Sequence, residues 1–298
     1  PETLHEHWRA FIAPMLLIVF CWGFNFTVIK FAVGPIRPIT FRATAGLIAA
    51  VLLFFFIRYR KNTFYVAREE RGFLVLYALL TVTCYQVFST YGIYWLPSGR
   101  ASILGYTMPI WAVILNVFFL NERLTKQIVF ALICGLSGMI LLVIKELTRF
   151  AGSPSGVLLM IASAVVWALA TVVFKRAQFK TPLPGLTFWS ILLGALSLVG
   201  IAGITEYGQS DWPTASAFLA IGYNAVIVLI ICQVAWFKVL KIAPANLSSL
   251  ATLGVPVVGV ICGFVFLGET PQWQDIVGLV LILTSLFIVL RPQPPGES

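Results

Sequence analysis

The stretch Pro97–Glu122, PSGRASILGYTMPIWAVILNVFFLNE, is apolar enough to cross a membrane, with Pro109 in its middle and a glutamate at its end. A second stretch, Pro244–Glu269, lies 147 residues further on and reads PANLSSLATLGVPVVGVICGFVFLGE, with Pro256 in its middle. Eight of the 26 aligned positions are identical. Matches between apolar residues arise readily by chance, but here the prolines and the glutamate also keep their register. We therefore predict that the chain is one structural unit present twice.

The composition predicts an all-α polytopic membrane protein. The chain has 298 residues, 60% hydrophobic and 10% charged, and its mean hydropathy is +0.96. A soluble domain carries about 25% charged residues, so the solvent for most of this surface must be lipid. The net charge of +9 is typical of basic cytoplasmic loops, and we expect no nucleic-acid partner.

The cysteines predict neither disulfides nor a metal site. All five fall inside apolar runs, and no two are close enough to form a CxxC motif. Small buried apolar residues are the ordinary role for such cysteines. We expect no metal and no cofactor.

The hydropathy pattern predicts ten transmembrane helices, since a span needs about 20 apolar residues. In order they are, approximately, Ala10–Val33, Ile36–Ile57, Gly72–Leu96, Ala101–Leu120, Thr125–Ile144, Gly156–Phe174, Leu183–Ile204, Thr214–Leu240, Ala245–Leu267 and Trp273–Leu290.

The basic residues predict the orientation of these helices. With the N-terminus in the cytoplasm, 14 of the 20 Lys and Arg residues fall on the cytoplasmic side and 6 on the other side. Cytoplasmic loops carry the excess of basic residues in membrane proteins. Both termini are therefore predicted to be cytoplasmic.

The repeat divides the chain into two five-helix units. We predict a tail over 1–9, a first repeat over 10–146, a linker over 147–155, a second repeat over 156–290 and a tail over 291–298. Because five is odd, the second copy enters the bilayer upside down, which is the inverted-repeat architecture of many secondary transporters. Trp22–Lys30, WGFNFTVIK, and Trp167–Lys175, WALATVVFK, match in the same way at an offset of 145.

These features resemble the drug/metabolite transporter superfamily and, within it, the EamA-type ten-helix carriers. The resemblance rests on the paired WGxNF-like helix starts, the P-x11-P-x12-E pattern of helices 4 and 9, and the closing LNERLT and LGETPQ segments. The density of Trp and Tyr looks most like that of bacterial aromatic amino-acid exporters. The resemblance implies a central cavity lined mainly by helices 1, 3, 4, 6, 8 and 9, with helices 5 and 10 at the periphery.

Trp22 and Trp167 form a symmetric pair on helices 1 and 6, each well inside its span. Asn25 lies one turn from Trp22, and Thr171 shares the face of Trp167 by helical spacing. We predict that these residues line the substrate cavity. The alternative is that both tryptophans only pack or anchor the helices in lipid.

Helix 3 carries Tyr77, Thr81, Tyr85 and Phe88 along one predicted face, and Tyr106 lies on helix 4 one turn before Pro109. Hydroxyl groups need partners in hydrocarbon. We interpret these residues as a cavity wall, with a helix–helix interface as the alternative.

Helix 8 carries Tyr223, Asn224 and Gln233 within its apolar run. Amides in mid-span face a bundle interior or a functional site. They are candidates to bind the ammonium or carboxylate group of an amino acid, or else they bond a neighbouring helix.

Pro109 and Pro256 each remove a backbone donor and disturb the preceding turn, so we predict a hinge at each. Glu122 and Glu269, at the ends of the same helices, are interpreted as structural. Lys30 and Lys175, at the ends of helices 1 and 6, are expected to reach toward the membrane surface.

The acidic residues are informative by their positions. None of the 11 falls at a predicted helix centre, and the only histidines are His5 and His7. Proton pumps ordinarily keep an ionisable relay in mid-membrane, so facilitated diffusion or exchange is favoured. Arg42 is the basic residue placed deepest, and the absence of a Lys/Arg pair argues against nucleotide sugars and triose phosphates.

We predict a carrier of a bacterial inner membrane that exports amino acids, aromatic and some neutral ones, by alternating access. It acts on a small molecule within the lipid bilayer, as a monomer or weak homodimer, and performs no catalysis. An exporter of aromatic drugs or other small metabolites is the alternative within transport. A lipid enzyme would need an Asp, His or metal cluster at one leaflet, and a receptor or scaffold has no evident use for inverted repeats.

Overall fold

The computed structural model describes residues 4–33, 36–95, 101, 104–120, 125–147, 154–209, 213–268 and 273–290. In these ranges the backbone is helical without strands, apart from an isolated bridge between Val33 and Ile36. Glu122, Glu269, the tail over 291–298 and most of the predicted linker lie outside the described residues. The prediction of an all-helical chain is confirmed.

The described helices follow the order α1 (Leu4–Ala32), α2 (Pro38–Tyr59), α3 (Arg68–Trp95), α4 (Met108–Leu120), α5 (Lys126–Leu147), α6 (Pro154–Ala177), α7 (Leu183–Thr205), α8 (Ala215–Ile242), α9 in two parts (Ala245–Ala251 and Gly254–Leu267) and α10 (Trp273–Leu290). Within the described part of the chain, seven helices are long and apolar enough to cross a membrane, and shorter apolar helices lie in α4, α5 and α10. The chain is a multi-pass membrane protein. The count of ten spans stays a prediction.

The surface has the apolar character that a bilayer requires. Phe20, Phe55, Phe118, Phe218 and Leu219 expose more than half of their side chains. In water such a surface would aggregate, whereas lipid solvates it. The buried interior, by contrast, holds small residues and many polar ones, because helix association in lipid depends on close packing and internal hydrogen bonds.

Two helices contain a π segment in mid-span. In α3 it covers Leu79–Cys84, and in α8 it covers Asn224–Cys232. Both helices have 28 residues. A π turn inserts an extra residue into the helical repeat, so it rotates the following side chains to a new face, and such turns occur frequently at functional sites.

The helices that carry the two repeated prolines are interrupted just before them. The α-helical hydrogen-bond pattern is interrupted by a turn at Tyr106–Thr107 and again at Thr252–Leu253. At each break the threonine hydroxyl donates to the carbonyl three residues earlier, Thr107 to Leu104 at 2.8 Å and Thr252 to Ser249 at 2.6 Å. The predicted spans 4 and 9 are therefore not continuous helices, because proline cannot supply the backbone donor that would continue the ladder.

Helices from the first half of the chain pack mainly against helices from the second half. α1 packs against α8 and α9, while α6 packs against α3 and α4. α2 packs against α7, and α5 against α10. Close approach is possible where side chains are small: a Cβ on Gly46 in α2 would lie 2.8 Å from the Cβ of Ala195 in α7.

α2 and α7 are antiparallel, and they define two ends of the bundle. We call end A the end where α2 begins and α7 ends. There the carboxylate of Glu206, just after α7, accepts hydrogen bonds from the backbone N–H groups of Ile39 and Thr40 in the first turn of α2. We call end B the end where α2 ends and α7 begins. There the indole N–H of Trp189, in the second turn of α7, donates to the carbonyl of Phe64, which follows α2, at 2.8 Å.

Candidate functional site

An internal cavity lies between α1, α2, α3, α6 and α8, and the segment before α4 also contributes to it. Its volume is about 50 Å³. Ligand pockets measure roughly 300–1,000 Å³, so this space holds a few water molecules and no amino acid. The cavity is therefore in a narrow form in this structure.

Aromatic rings form one wall of the cavity. The rings of Trp22 and Trp167 meet edge to face with centroids 5.2 Å apart. Tyr85 lies 4.8 Å from Trp167 between centroids, and Phe26 lies 6.0 Å from Tyr106. These rings come from four separate segments of the chain, and together they present flat apolar faces to whatever occupies the space.

Arg42 brings a positive charge to the cavity. Its side chain is 5% exposed and comes from the second turn of α2. The guanidinium donates from Nε to Thr90 Oγ1 at 2.9 Å and from Nη1 to Asn224 Oδ1 at 2.7 Å. Both partners are neutral, so the protein holds this cation by dipoles rather than by an opposite charge.

Three buried polar atoms in the cavity lining have no hydrogen-bond partner within the described structure: Asn25 Oδ1, Gln86 Oε1 and Ser89 Oγ. Burying such an atom without a partner costs about 1–3 kcal/mol. Native proteins tolerate few of these atoms unless water or a ligand satisfies them. Three of the six such side-chain atoms in the described structure lie in this lining, which makes the cavity a candidate binding site.

Seven of the sequence-predicted site residues line the cavity: Trp22, Asn25, Thr81, Tyr85, Tyr106, Trp167 and Gln233. The other five do not line it. Thr171 donates to the carbonyl of Trp167, and Tyr223 donates to the carbonyl of Cys21 at 2.8 Å. Asn224 contacts Arg42 rather than the open space, and Phe88 is half-buried outside the lining.

Tyr77 is fully buried away from the cavity, between Phe174 and Phe237, and accepts a hydrogen bond from the Gln233 amide at 2.9 Å. The predicted face through Tyr77, Thr81, Tyr85 and Phe88 assumes an unbroken helix. The π segment over Leu79–Cys84 shifts this register, so the observed cavity face of α3 runs through Thr81, Tyr85, Gln86, Ser89 and Ile93.

Arg42, Gln86, Ser89 and Phe26 line the cavity but were not predicted as site residues. A signal was present for Arg42, since it interrupts the apolar run PITFRATAGLIAAVLLFFF at its fifth position. A charge inside a span marks a functional candidate. For Gln86 and Ser89 the sequence offers no sign of the π turn that rotates them inward.

Each end of the bundle is closed by similar contacts. At end A, Glu206 also accepts from the Tyr91 hydroxyl at 2.9 Å, and Lys30 donates to the carbonyl of Ile93 at 3.0 Å. At end B, Glu70 accepts from the backbone and hydroxyl of Thr181, and Lys175 donates to the carbonyl of Ala243. The two lysines therefore tie helix ends together instead of only extending toward the membrane surface.

A wider apolar groove, about 1140 Å³, lies between α1, α2, α7 and α8 on the outside of the bundle. Its described lining is apolar except for Lys238. In a membrane protein this surface faces lipid tails. The smaller internal cavity is the candidate site because charge, amides and aromatic rings converge there.

Comparison with known proteins finds the profile of the EamA-like transporter family over residues 10–144 and again over 154–291. The chain is 28% identical over 276 residues to the "Uncharacterized transporter YoaV" of Bacillus subtilis, covering 92% of this chain and 94% of that protein. It is also 28% identical over 293 residues to the "Probable amino-acid metabolite efflux pump" of Salmonella typhimurium, covering 92% of each.

A solved crystal structure with 19% sequence identity superposes with a TM-score of 0.78, covering 94% of this chain and 96% of that chain. At this identity the likeness concerns the fold alone.

Proposed function

This chain belongs to the EamA-like transporter family, and we propose that it exports amino acids, aromatic and some neutral ones, across a bacterial inner membrane. The family and the relatives named as transporters and efflux pumps make it a membrane transporter and not an enzyme. The specific substrate, the membrane and the direction are the proposal.

The observation that carries the proposal is the chemistry of the cavity. Trp22, Trp167 and Tyr85 offer aromatic faces, and Asn25 and Gln86 offer unsatisfied amide oxygens. This combination suits a zwitterion with an apolar side chain. The buried charge of Arg42 makes the same cavity unfavourable for lipophilic cations, so the drug-exporter alternative is weaker for that class of compound.

We further propose ten spans arranged as two inverted five-helix repeats. Three observations support this arrangement. α3 and α8 have equal length and begin 147 residues apart, and α5 and α10 also begin 147 residues apart. The packing of α1 on α8 and α9 is mirrored by that of α6 on α3 and α4. Finally, α1 ends at end A and α6 at end B, as their terminal lysines indicate, which is what two copies running in opposite directions require.

Alternating access then requires the cavity to widen and one end to open. The cavity measures only about 50 Å³, and contacts tie both ends together. The helix breaks beside Pro109 and Pro256 are the positions where we expect α4 and α9 to bend. A discontinuous helix at the midplane is a recurring device in secondary transporters.

Coupling to protons through a buried carboxylate is not part of this proposal. Among the described residues the buried carboxylates are Glu70 and Glu206, and both bind backbone N–H groups at the ends of helices. Neither lines the cavity. We expect facilitated diffusion or exchange, driven by the gradient of the substrate.

The test is efflux from proteoliposomes loaded with a mixture of amino acids, measured with and without a pH gradient. The proposal expects Phe, Trp and Met to leave at the same rate in both conditions, faster than from protein-free liposomes. Efflux that needs a proton gradient would overturn the expectation that transport is not coupled to protons. Efflux of no amino acid would overturn the substrate class, and aromatic drugs would then be the next compounds to load.

A further inference from the structure

We infer that Arg42 is a substrate-binding residue and that it binds a carboxylate, so the cargo of this carrier is a carboxylate-bearing molecule. The inference rests on the proposed transport function and on the lining of the cavity, but it does not require that the carboxylate belong to an amino acid.

The first step is the unbalanced charge of Arg42. Of the described side chains that line the cavity, Arg42 is the only charged one. Its hydrogen bonds go to Thr90 and Asn224, and it forms no ion pair with any described carboxylate. A charge is expensive to bury without an opposite charge, so an anion entering the cavity gains more from this site than a neutral or cationic molecule does.

The second step is the donor capacity that remains. A guanidinium has five N–H donors in a planar fork, and two of them are engaged, at Nε and Nη1. The fork matches a carboxylate geometrically. Arg42 therefore keeps donors for a ligand while two protein bonds hold the group in place.

The third step is how firmly the group is positioned. Thr90 belongs to α3 and Asn224 to the π segment of α8, so three helices meet at the guanidinium. The Asn224 amide nitrogen donates to the carbonyl of Ala220 at 3.1 Å, which directs its oxygen toward Arg42. Such support fixes the orientation of a binding group before the ligand arrives.

The fourth step is the surrounding lining, which complements the rest of the cargo. Asn25 Oδ1 and Gln86 Oε1 lack partners in the described structure and are acceptors for an ammonium group. The rings of Trp22 and Tyr85 lie in the same lining and suit an apolar side chain. A phosphorylated cargo, which carries more charge, would call for a further cation.

The experiment compares four probes that differ only in their charged groups: phenylalanine, phenylalaninamide, phenethylamine and 3-phenylpropionate. Binding to the purified full-length protein is measured by titration calorimetry and by thermal stabilisation. We expect phenylalanine and 3-phenylpropionate to bind about 10- to 100-fold more tightly than the amide and the amine, the range that follows from a charge-assisted hydrogen bond.

Arg42→Gln is expected to remove this discrimination, so that acid and amide bind alike, while Arg42→Lys keeps part of it. The matched control is Arg37→Gln, which removes the same charge five residues earlier, at end A and outside the cavity lining, and should leave the discrimination unchanged. Asn224→Asp is the second variant. It gives Arg42 an internal carboxylate, which should hold the fold together and weaken the binding of both acids by at least 10-fold.

The result that overturns the inference is an amide that binds the wild-type protein as tightly as the acid. Discrimination that persists in both Arg42→Gln and Asn224→Asp overturns it equally. If 3-phenylpropionate binds through Arg42 but phenylalanine neither binds nor leaves proteoliposomes, the carboxylate site stands and the amino-acid proposal fails. If phenylalanine and its amide leave at equal rates, amino-acid transport stands and the carboxylate site fails.

Discussion

Trp22 and Trp167 contact each other edge to face in the cavity wall, with ring centroids 5.2 Å apart, although 145 residues separate them in the chain. One ring comes from α1 and the other from α6, the first helix of each half. The contact thus lies where the two halves of the chain meet around the cavity.

Removing either ring should slow the transport of aromatic substrates. We expect Trp22→Ala and Trp167→Ala to reduce phenylalanine efflux by about 2- to 10-fold, because an aromatic contact contributes ~0.5–1.5 kcal/mol. Trp273→Ala is the matched control, since the Trp273 side chain is 63% exposed at the start of α10. An equal loss in that variant would show that the effect is not specific to the cavity.

Gly194 in α7 should be sensitive to any added side chain. A Cβ there would lie 2.3 Å from the Cβ of Val82 in the π segment of α3. Overpacking of this kind costs about 1–3 kcal/mol, so we expect Gly194→Ala to lower the midpoint of thermal unfolding in detergent. Gly200→Ala, on the same helix with no atom within 4 Å of its Cβ, should leave the midpoint unchanged or raise it. Equal midpoints for the two variants would contradict the close packing of α3 on α7.

The neighbouring acids Glu69 and Glu70 should differ in their effect on stability. Glu70 is buried and accepts hydrogen bonds from the backbone of Lys180 and from Thr181, whereas Glu69 is exposed. Glu70→Gln should lower the free energy of unfolding by about 1–3 kcal/mol, and Glu69→Gln should stay within about 0.5 kcal/mol of the wild type. Thermal unfolding of both variants in the same detergent provides the measurement, and a Glu70→Gln protein as stable as wild type would refute the role of this carboxylate.

Lys30 and Lys175 should control which end of the bundle opens. Each lysine ties the end of one helix to a carbonyl at the end of another, Lys30 at end A and Lys175 at end B. Lys30→Met should favour opening at end A, and Lys175→Met opening at end B. A charge-assisted hydrogen bond contributes ~1.5 kcal/mol or more, which corresponds to a population change of about 10-fold.

The measurement is thiol labelling of Ser89→Cys, a position in the cavity lining, after replacement of the five native cysteines by alanine. A membrane-impermeant maleimide is added to right-side-out or to inside-out vesicles. Labelling should increase from opposite sides in the two lysine variants, and the basic residues predict that end A is the outer side. An increase from the same side in both would contradict the assignment of the ends.

Much of this architecture could be predicted from the sequence because lipid constrains a chain strongly. Hydropathy alone predicts helical spans close to the observed α1, α2, α6 and α7. The repeated register of Trp22 and Trp167 predicts that they are equivalent, and the structure brings the two rings into contact in the cavity wall.

The rest depends on local backbone geometry that composition does not reveal. The π segments of α3 and α8 change the helical repeat, and no Gly or Pro within them marks the change in the sequence. An unbroken helix would place Tyr77 and Phe88 on the cavity face, but neither residue lines the cavity. Arg42 presents the opposite case. Its charge is visible in the sequence, but its role depends on Thr90 and Asn224, which tertiary packing brings to it from 48 and 182 residues away.

The lysine contacts at the two ends also bear on the direction of transport. Because the same type of bond ties each end, these contacts do not mark either end as the one that opens first. Microscopic reversibility then requires that the protein, when it works without a counter-substrate, equilibrate its cargo and never accumulate it. Whether the cell loses or gains the molecule is decided by the concentrations on the two sides, so export is a property of the metabolism that fills the cytoplasm rather than of the protein itself.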